Sequence, residues 1–144
     1  MSEQFPPSAD AYGKSLNGLG FNLIVKDLPR SLSFATQVLG ATVFFATPVF
    51  AAMKLNGCDF MFHTDETYHA NPLKGILAGA EARGVGVELR VYGRDPDIAE
   101  EIARTGGWTV LAGSLDKPHG LREAMILDDE GYLWIPSVHL AEEK

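Results

Sequence analysis

The sequence predicts an α+β protein in which tandem βαβββ modules form a curled mixed sheet around a cleft. Two observations carry that prediction. The first is an internal repeat: Gly20-Phe-Asn-Leu-Ile-Val-Lys-Asp27 and Glu88-Leu-Arg-Val-Tyr-Gly-Arg-Asp95 each precede an amphipathic stretch. Those stretches end in Gly40-Ala-Thr-Val43 and Gly107-Trp-Thr-Val110. Asp27 and Asp95 lie 68 residues apart and Gly40 and Gly107 lie 67 apart, so one deletion aligns the copies. A recurrence of this kind marks a repeated supersecondary unit. The second observation is that strand-like alternation gives way to a helical period of about 3.6 within each copy.

Each element follows from local chemistry. Residues 1–17, punctuated by Pro6-Pro7 and Gly13 and lacking a period, read as a flexible arm. The first module covers 18–64. Leu19, Phe21, Leu23 and Val25 alternate with Gly20, Asn22 and Ile24, giving a half-buried strand. Asp27 caps a helix with Pro29 in its first turn, Leu28, Leu32, Ala35, Val38 and Leu39 keep the helical spacing, and Gly40 stops it. Strands at about 41–47, 49–56 and 58–63 follow, with turns at Thr47-Pro48 and Asn56-Gly57. Residues 65–85 form a connector with a short helix from Leu73 to Ala82. The second module, 86–140, repeats the order: a strand to Tyr92, a helix capped by Asp95 and running through Thr105, then strands at about 108–112, 121–127 and 132–138. A loop at 113–120 and a turn at Asp128-Asp-Glu-Gly131 separate them.

Composition narrows the function. At 144 residues the chain buries enough surface to fold without disulfides or metal. The single cysteine, Cys58, points to a reducing cytoplasm. The polar start carries neither a signal nor a transit peptide, and the longest mostly apolar run, Ala41–Met53, is too short to cross a membrane. A net charge of −7 without any Lys/Arg cluster argues against nucleic acid and mildly favours cationic ligands.

Val25-Lys-Asp-Leu-Pro-Arg-Ser-Leu-Ser-Phe-Ala-Thr-Gln-Val-Leu-Gly40 and Lys117-Pro-His-Gly-Leu-Arg-Glu-Ala-Met-Ile-Leu-Asp-Asp-Glu-Gly-Tyr-Leu-Trp134 carry a resemblance. Over about residues 18–139 the chain resembles the vicinal oxygen chelate superfamily: glyoxalase I, bleomycin- and fosfomycin-resistance proteins, and extradiol dioxygenases. The resemblance implies two-module sheets around a cleft and, in small members, a homodimer in which one chain's first module faces its partner's second. Enzymatic members hold a divalent metal. Carried over by position, the ligands fall on Gly20, Met61, Glu88 and Ile135, of which only Glu88 offers a coordinating group. The expectation is therefore no metal and no cofactor.

Alternation also sorts the strand residues into two faces. One is apolar and helix-facing: Leu23, Val25, Phe60, Phe62, Val87, Leu89, Val91, Ala124, Ile126 and Trp134. The other carries Asn22, Met61, His63, Glu88, Arg90, Tyr92, Glu123, Met125, Ile135 and Ser137. In the resembled fold that second face lines the cleft, and its mixture suits a small-molecule pocket with a few orienting polar groups. The ligand-binding candidates are Asn22, Met61, His63, Glu88, Arg90, Tyr92, Glu123, Met125 and Ile135; Glu88 and Arg90 can equally pair with each other or with Glu123. Three functions stay open. One is a metal-independent binding protein similar to the bleomycin-resistance branch, sequestering a small aromatic or cationic ligand at a dimer interface. The second is a metal-dependent lyase, isomerase or transferase with unusual ligands such as His63, Glu88 and Glu123. The third is a metal-free enzyme using Glu88 or Glu123 as acid or base.

Overall fold

The computed structural model describes residues 8–68 and 72–141. Residues 1–7 of the expected arm, and His69 of the connector, lie outside the described residues. The architecture is α+β, with two four-stranded mixed sheets. Helix α1 (Ala9–Ser15) leads into β1 (Asn22–Val25), α2 (Leu28–Gln37), β2 (Thr42–Thr47), β3 (Phe50–Leu55) and β4 (Cys58–Thr64). A 3₁₀ turn (Asp65–Tyr68) and the short α3 (Leu73–Leu77) connect to β5 (Glu88–Tyr92), α4 (Pro96–Thr105), β6 (Thr109–Asp116), β7 (Leu121–Leu127) and β8 (Leu133–His139). The sheets have matching orders, β1-β4-β3-β2 and β5-β8-β7-β6. The first strand of each module runs parallel to the last, and the other pairs are antiparallel.

The repeated residues do the same work twice. Asp27 accepts from Arg30 N at 3.1 Å, and Asp95 accepts from Asp97 N at 2.8 Å, so each satisfies a free amide at a helix start. Proline follows each cap in the first turn, where its missing N–H costs nothing. Gly40 and Gly107 both take φ near +80° as the chain leaves the helix, a conformation that a side chain would strain. At Asn56-Gly57 both residues have positive φ, which gives the twist a tight β3–β4 hairpin requires.

Three segments differ from expectation. Residues 9–15, which lack a hydrophobic period, form α1: Ser8 caps it, and Tyr12 alone is buried, against Phe44. The 113–120 loop shrinks to a turn at 117–120 because β6 runs on to Asp116. Two register shifts absorb its extra residues, and Glu100 of α4 accepts from Ser114 N at 2.6 Å, pinning the polar part of the strand. The connector helix stops at Leu77 rather than Ala82, just before Gly79 at φ +78°.

The helix-facing sides of both sheets share one core. Phe34 of α2 meets Trp108 edge-on at 5.4 Å and lies 6.4 Å from Trp134 of β8, while Phe60 of β4 lies 5.7 Å from Trp134. Val25, Phe62, Ala124, Ile126 and Ala103 are buried in the same cluster. Polar clamps cross the module boundary as well. Glu130 accepts from Lys26 N and Asp27 N, each at 2.9 Å, Arg94 donates to Val38 O, and the Tyr132 hydroxyl donates to Ile24 O. With the helix-facing sides turned to a common core, the other face of each sheet looks outward.

Candidate functional site

Those outward faces carry the residues singled out by alternation. On the first sheet Asn22 stands opposite Met61, and Ile24 opposite His63, so Asn22, Met61 and His63 share a face. His63 is half-buried, 4.9 Å from the Phe50 ring, and burial pulls its pKa below the ordinary imidazole range. Tyr12 of α1 lies along the same side, where Lys54 pairs with Asp59 at 2.9 Å and sits 4.7 Å over Phe44.

On the second sheet Glu88, Arg90 and Tyr92 follow one another at alternate positions of the edge strand β5. Ile135 stands opposite Arg90, and Ser137 opposite both Tyr92 and Glu123. Arg90 binds two carboxylates: its Nη1 lies 3.2 Å from Glu88, and its Nη2 donates to Glu123. Desolvation pulls the Arg90 pKa down, but Glu123, Tyr92 and Glu88 together outweigh it and leave it raised. Glu123 is only 7% exposed, and His119 of the 117–120 turn lies 3.5 Å from the same carboxylate oxygen that accepts from Arg90. The Ser137 hydroxyl is buried beside this group without a hydrogen-bond partner. Met125 and Ile135 supply apolar floor, Ile135 being 1% exposed. The result is an ion-paired cluster set in hydrocarbon.

The structure thus unites Glu88, Arg90 and Glu123 in one network, with Tyr92, Met125 and Ile135 on the same face. Asn22, Met61 and His63 belong to the other sheet's outward face, so no single face of the chain carries all nine. The positions that would hold a metal in the resembled superfamily do not fit one. Gly20 has no side chain, Ile135 is hydrocarbon, Met61 offers only a thioether, and Glu88 is engaged by Arg90. Among the described residues no three His, Cys, Asp or Glu side chains converge as a metal site. At Gly20 and Met61 there is instead a cavity of about 480 Å³ between the α1–β1 segment and the start of β4.

A second hollow was not foreseen. A groove of about 340 Å³ opens between the modules where Phe21, Leu55 and Phe60 face Leu89 and Trp134. Alternation placed Phe21, Phe60, Leu89 and Trp134 on the core-facing side and left Leu55 unsorted; Phe60 and Trp134 are buried as expected, and Phe21, Leu55 and Leu89 remain partly exposed at the groove.

No protein-family model matches the chain, and no curated protein matches it. Solved structures do. A glyoxalase-related enzyme from Fulvimarina pelagi superposes with a TM-score of 0.68 at 18% identity, over 86% of this chain and 89% of that one. A glyoxalase/bleomycin resistance protein/dioxygenase from Nocardioides gives 0.62 at 23%, over 94% and 95%. The fosfomycin resistance protein FosX from Mesorhizobium loti gives 0.60 at 16%, over 85% and 92%. At these identities the likeness establishes a common fold.

Proposed function

We propose, from the glyoxalase/bleomycin-resistance/dioxygenase fold, that this chain is a metal-independent small-molecule-binding protein of the bleomycin-resistance kind. It sequesters a small aromatic or cationic ligand in a cleft that a second copy completes. The observation that carries this reading is the Glu88–Arg90–Glu123 cluster, held on an otherwise apolar sheet face by Met125, Ile135 and Tyr92. Pockets that select small molecules combine apolar walls with a few fixed polar groups in this way. Two carboxylates share one guanidinium, so the face keeps a negative excess, in line with the chain's net charge of −7.

A second copy fits the geometry because Asn22, Met61 and His63 look away from Glu88, Arg90 and Glu123 within one chain. Apposing the first-sheet face of one protomer to the second-sheet face of its partner brings both sets around one cavity, twice per dimer. The donor set at Gly20, Met61, Glu88 and Ile135 supports binding without chelation.

The test combines metal analysis of untagged protein with a thermal-shift panel of aromatic cations, aromatic anions and neutral aromatics. The expected result is substoichiometric metal and stabilisation by aromatic cations that falls about tenfold in affinity in Glu88→Gln. Stoichiometric Zn, Ni, Mn or Fe that disappears in His63→Ala would overturn the metal-free reading. Equal affinity of a stabilising cation for wild type, Glu88→Gln and Glu123→Gln would remove the electrostatic role.

A further inference from the structure

The chain before β1 is seated on the body through one side chain. Helix α1 is mostly exposed, and Tyr12, at 6% exposure, is its one buried residue. The Tyr12 ring lies 5.8 Å from that of Phe44, in a corner where Lys54 and Asp59 pair at 2.9 Å. Burial, helped by the Asp59 carboxylate, pushes the Tyr12 phenol up, so it sits there in its neutral form. Three strands supply this seat: Phe44 comes from β2, Lys54 from β3 and Asp59 from β4.

Between that anchor and β1 the chain is loosely tied. Residues 17–20 are exposed, Leu19 to 97%. Among the described residues the hydrogen bonds of this segment are local: Leu16 N donates to Gly13 O at 3.3 Å, and Gly18 N to Asn17 Oδ1 at 2.9 Å. Bonding to the sheet starts at Phe21, whose carbonyl accepts from Met61 N at 3.1 Å. Gly18 takes φ +80°, and a Cβ added at Gly18 or Gly20 would meet nothing within 4 Å. Glycine therefore frees the backbone on both sides of Leu19. Segments with few buried contacts open at a small fraction of the cost of global unfolding.

Behind this segment lies the cavity of about 480 Å³. Residues 16–21 form one wall, and residues 57–61 form the other. The volume is that of a small-ligand pocket. Leu16 and Met61 face it half-buried from opposite walls. Asp59 belongs both to the far wall and to the surroundings of Tyr12, so anchor and cavity share a residue. One side chain thus holds a wall of a ligand-sized space.

We propose that residues 13–20 are a strap across this cavity, latched by Tyr12 on Phe44 and hinged at Gly18 and Gly20. Withdrawal of the Tyr12 ring lets the strap swing away from β4 and opens the way to Met61. Reseating the ring closes it. The device works within one chain and goes beyond the binding reading, since it sets access to Met61 whatever occupies that face.

Access is read with a thiol placed on the cavity wall. Met61→Cys in a Cys58→Ser background is treated with N-ethylmaleimide and followed by intact-mass spectrometry, with hydrogen exchange measured alongside. Alkylation is expected to be slow with Tyr12 present and severalfold faster when Tyr12→Ala is added. Tyr12→Phe, which keeps the ring, is expected to restore the slow rate. Faster exchange in Tyr12→Ala is expected over residues 9–20, with β7 and β8 unchanged. An alkylation rate that Tyr12→Ala leaves unaltered overturns the proposal. So does faster exchange across β7 and β8, which would make Tyr12 a support of the whole fold. Slow alkylation that is lost on hundredfold dilution would make a second copy the cover, sinking the strap while leaving the two-copy cleft standing. A thermal-shift panel that yields no binder leaves these rates untouched, so the two readings fail separately.

Discussion

Packing His63 beside Phe50 on a sheet face makes one side chain a pH sensor for folding. Burial lowers its pKa from the ordinary value of 6.5, so the folded chain binds that proton more weakly than the unfolded chain. Its stabilising contribution is therefore complete above about pH 6.5 and is lost as pH falls toward the lowered folded value. The melting temperature of wild type is expected to fall more steeply between about pH 7.5 and 5.5 than that of His63→Phe; parallel curves would show that His63 titrates alike in both states. Glu123 makes a different contribution, since it is buried with Arg90 as its chief partner. Glu123→Gln leaves Arg90 short of a countercharge, and the expected cost is about 1–3 kcal/mol in urea denaturation. The faces of these residues were legible in the sequence because a strand's alternation assigns each side chain to a side. The pairing of Arg90 with Glu123 was open until register placed them on strands flanking β8. The partly exposed groove residues Phe21, Leu55 and Leu89 were not legible as a site. Their apolar character reads as core whether or not anything covers them.

At the scale of elements, the turn between β7 and β8 is the main fastener between modules. Asp128 Oδ1 accepts from Glu130 N and Tyr132 N, and its Oδ2 accepts from the Trp134 indole, so the Asp-Asp-Glu-Gly turn is held from within. That geometry delivers the Glu130 carboxylate to two backbone amides at the start of α2, 104 and 103 residues away. Glu130→Gln turns an amide donor toward one of those N–H groups. The expected loss is about 1–3 kcal/mol, checked by equilibrium unfolding, with Glu130→Asp failing to rescue because its shorter side chain cannot reach both amides. Element existence was readable from caps and stops such as Asp27, Asp95, Gly40 and Gly107. Element ends were less so. β6 outran its expected limit because its stability comes from Glu100 on α4, a tertiary bond that no local pattern announces. The short α1 is similar, since one anchored tyrosine leaves no period to detect.

For the whole molecule, a shared core with outward-looking sheet faces makes self-association the expected behaviour. Leu115 and Tyr92 are more than half exposed on the second module, and so is Val87, which was expected to face the helices but lies just before β5 begins; a partner face would relieve that apolar burden. If a second copy covers them, the melting temperature should rise with protein concentration, and native mass spectrometry should find dimer at micromolar levels. A melting temperature constant over a hundredfold dilution, with monomer alone in the spectrum, would contradict that assembly. The duplication was the most readable property of the chain, while the relative orientation of its halves was not. Orientation depends on contacts such as Phe34 with Trp108 and Glu130 with Lys26, which join residues of unlike position in the two copies.

The register shifts have a further consequence. They fall after Val43 in β2 and after Val110 in β6, equivalent places in the two copies and on the strands that end each sheet. An extra residue there throws the free amides and carbonyls out of step with any straight strand that approaches. Both borders are thus poor templates for runaway polymerisation. The same irregularity, inherited twice, guards the β2 and β6 edges beside the exposed Val43, Leu111 and Leu115.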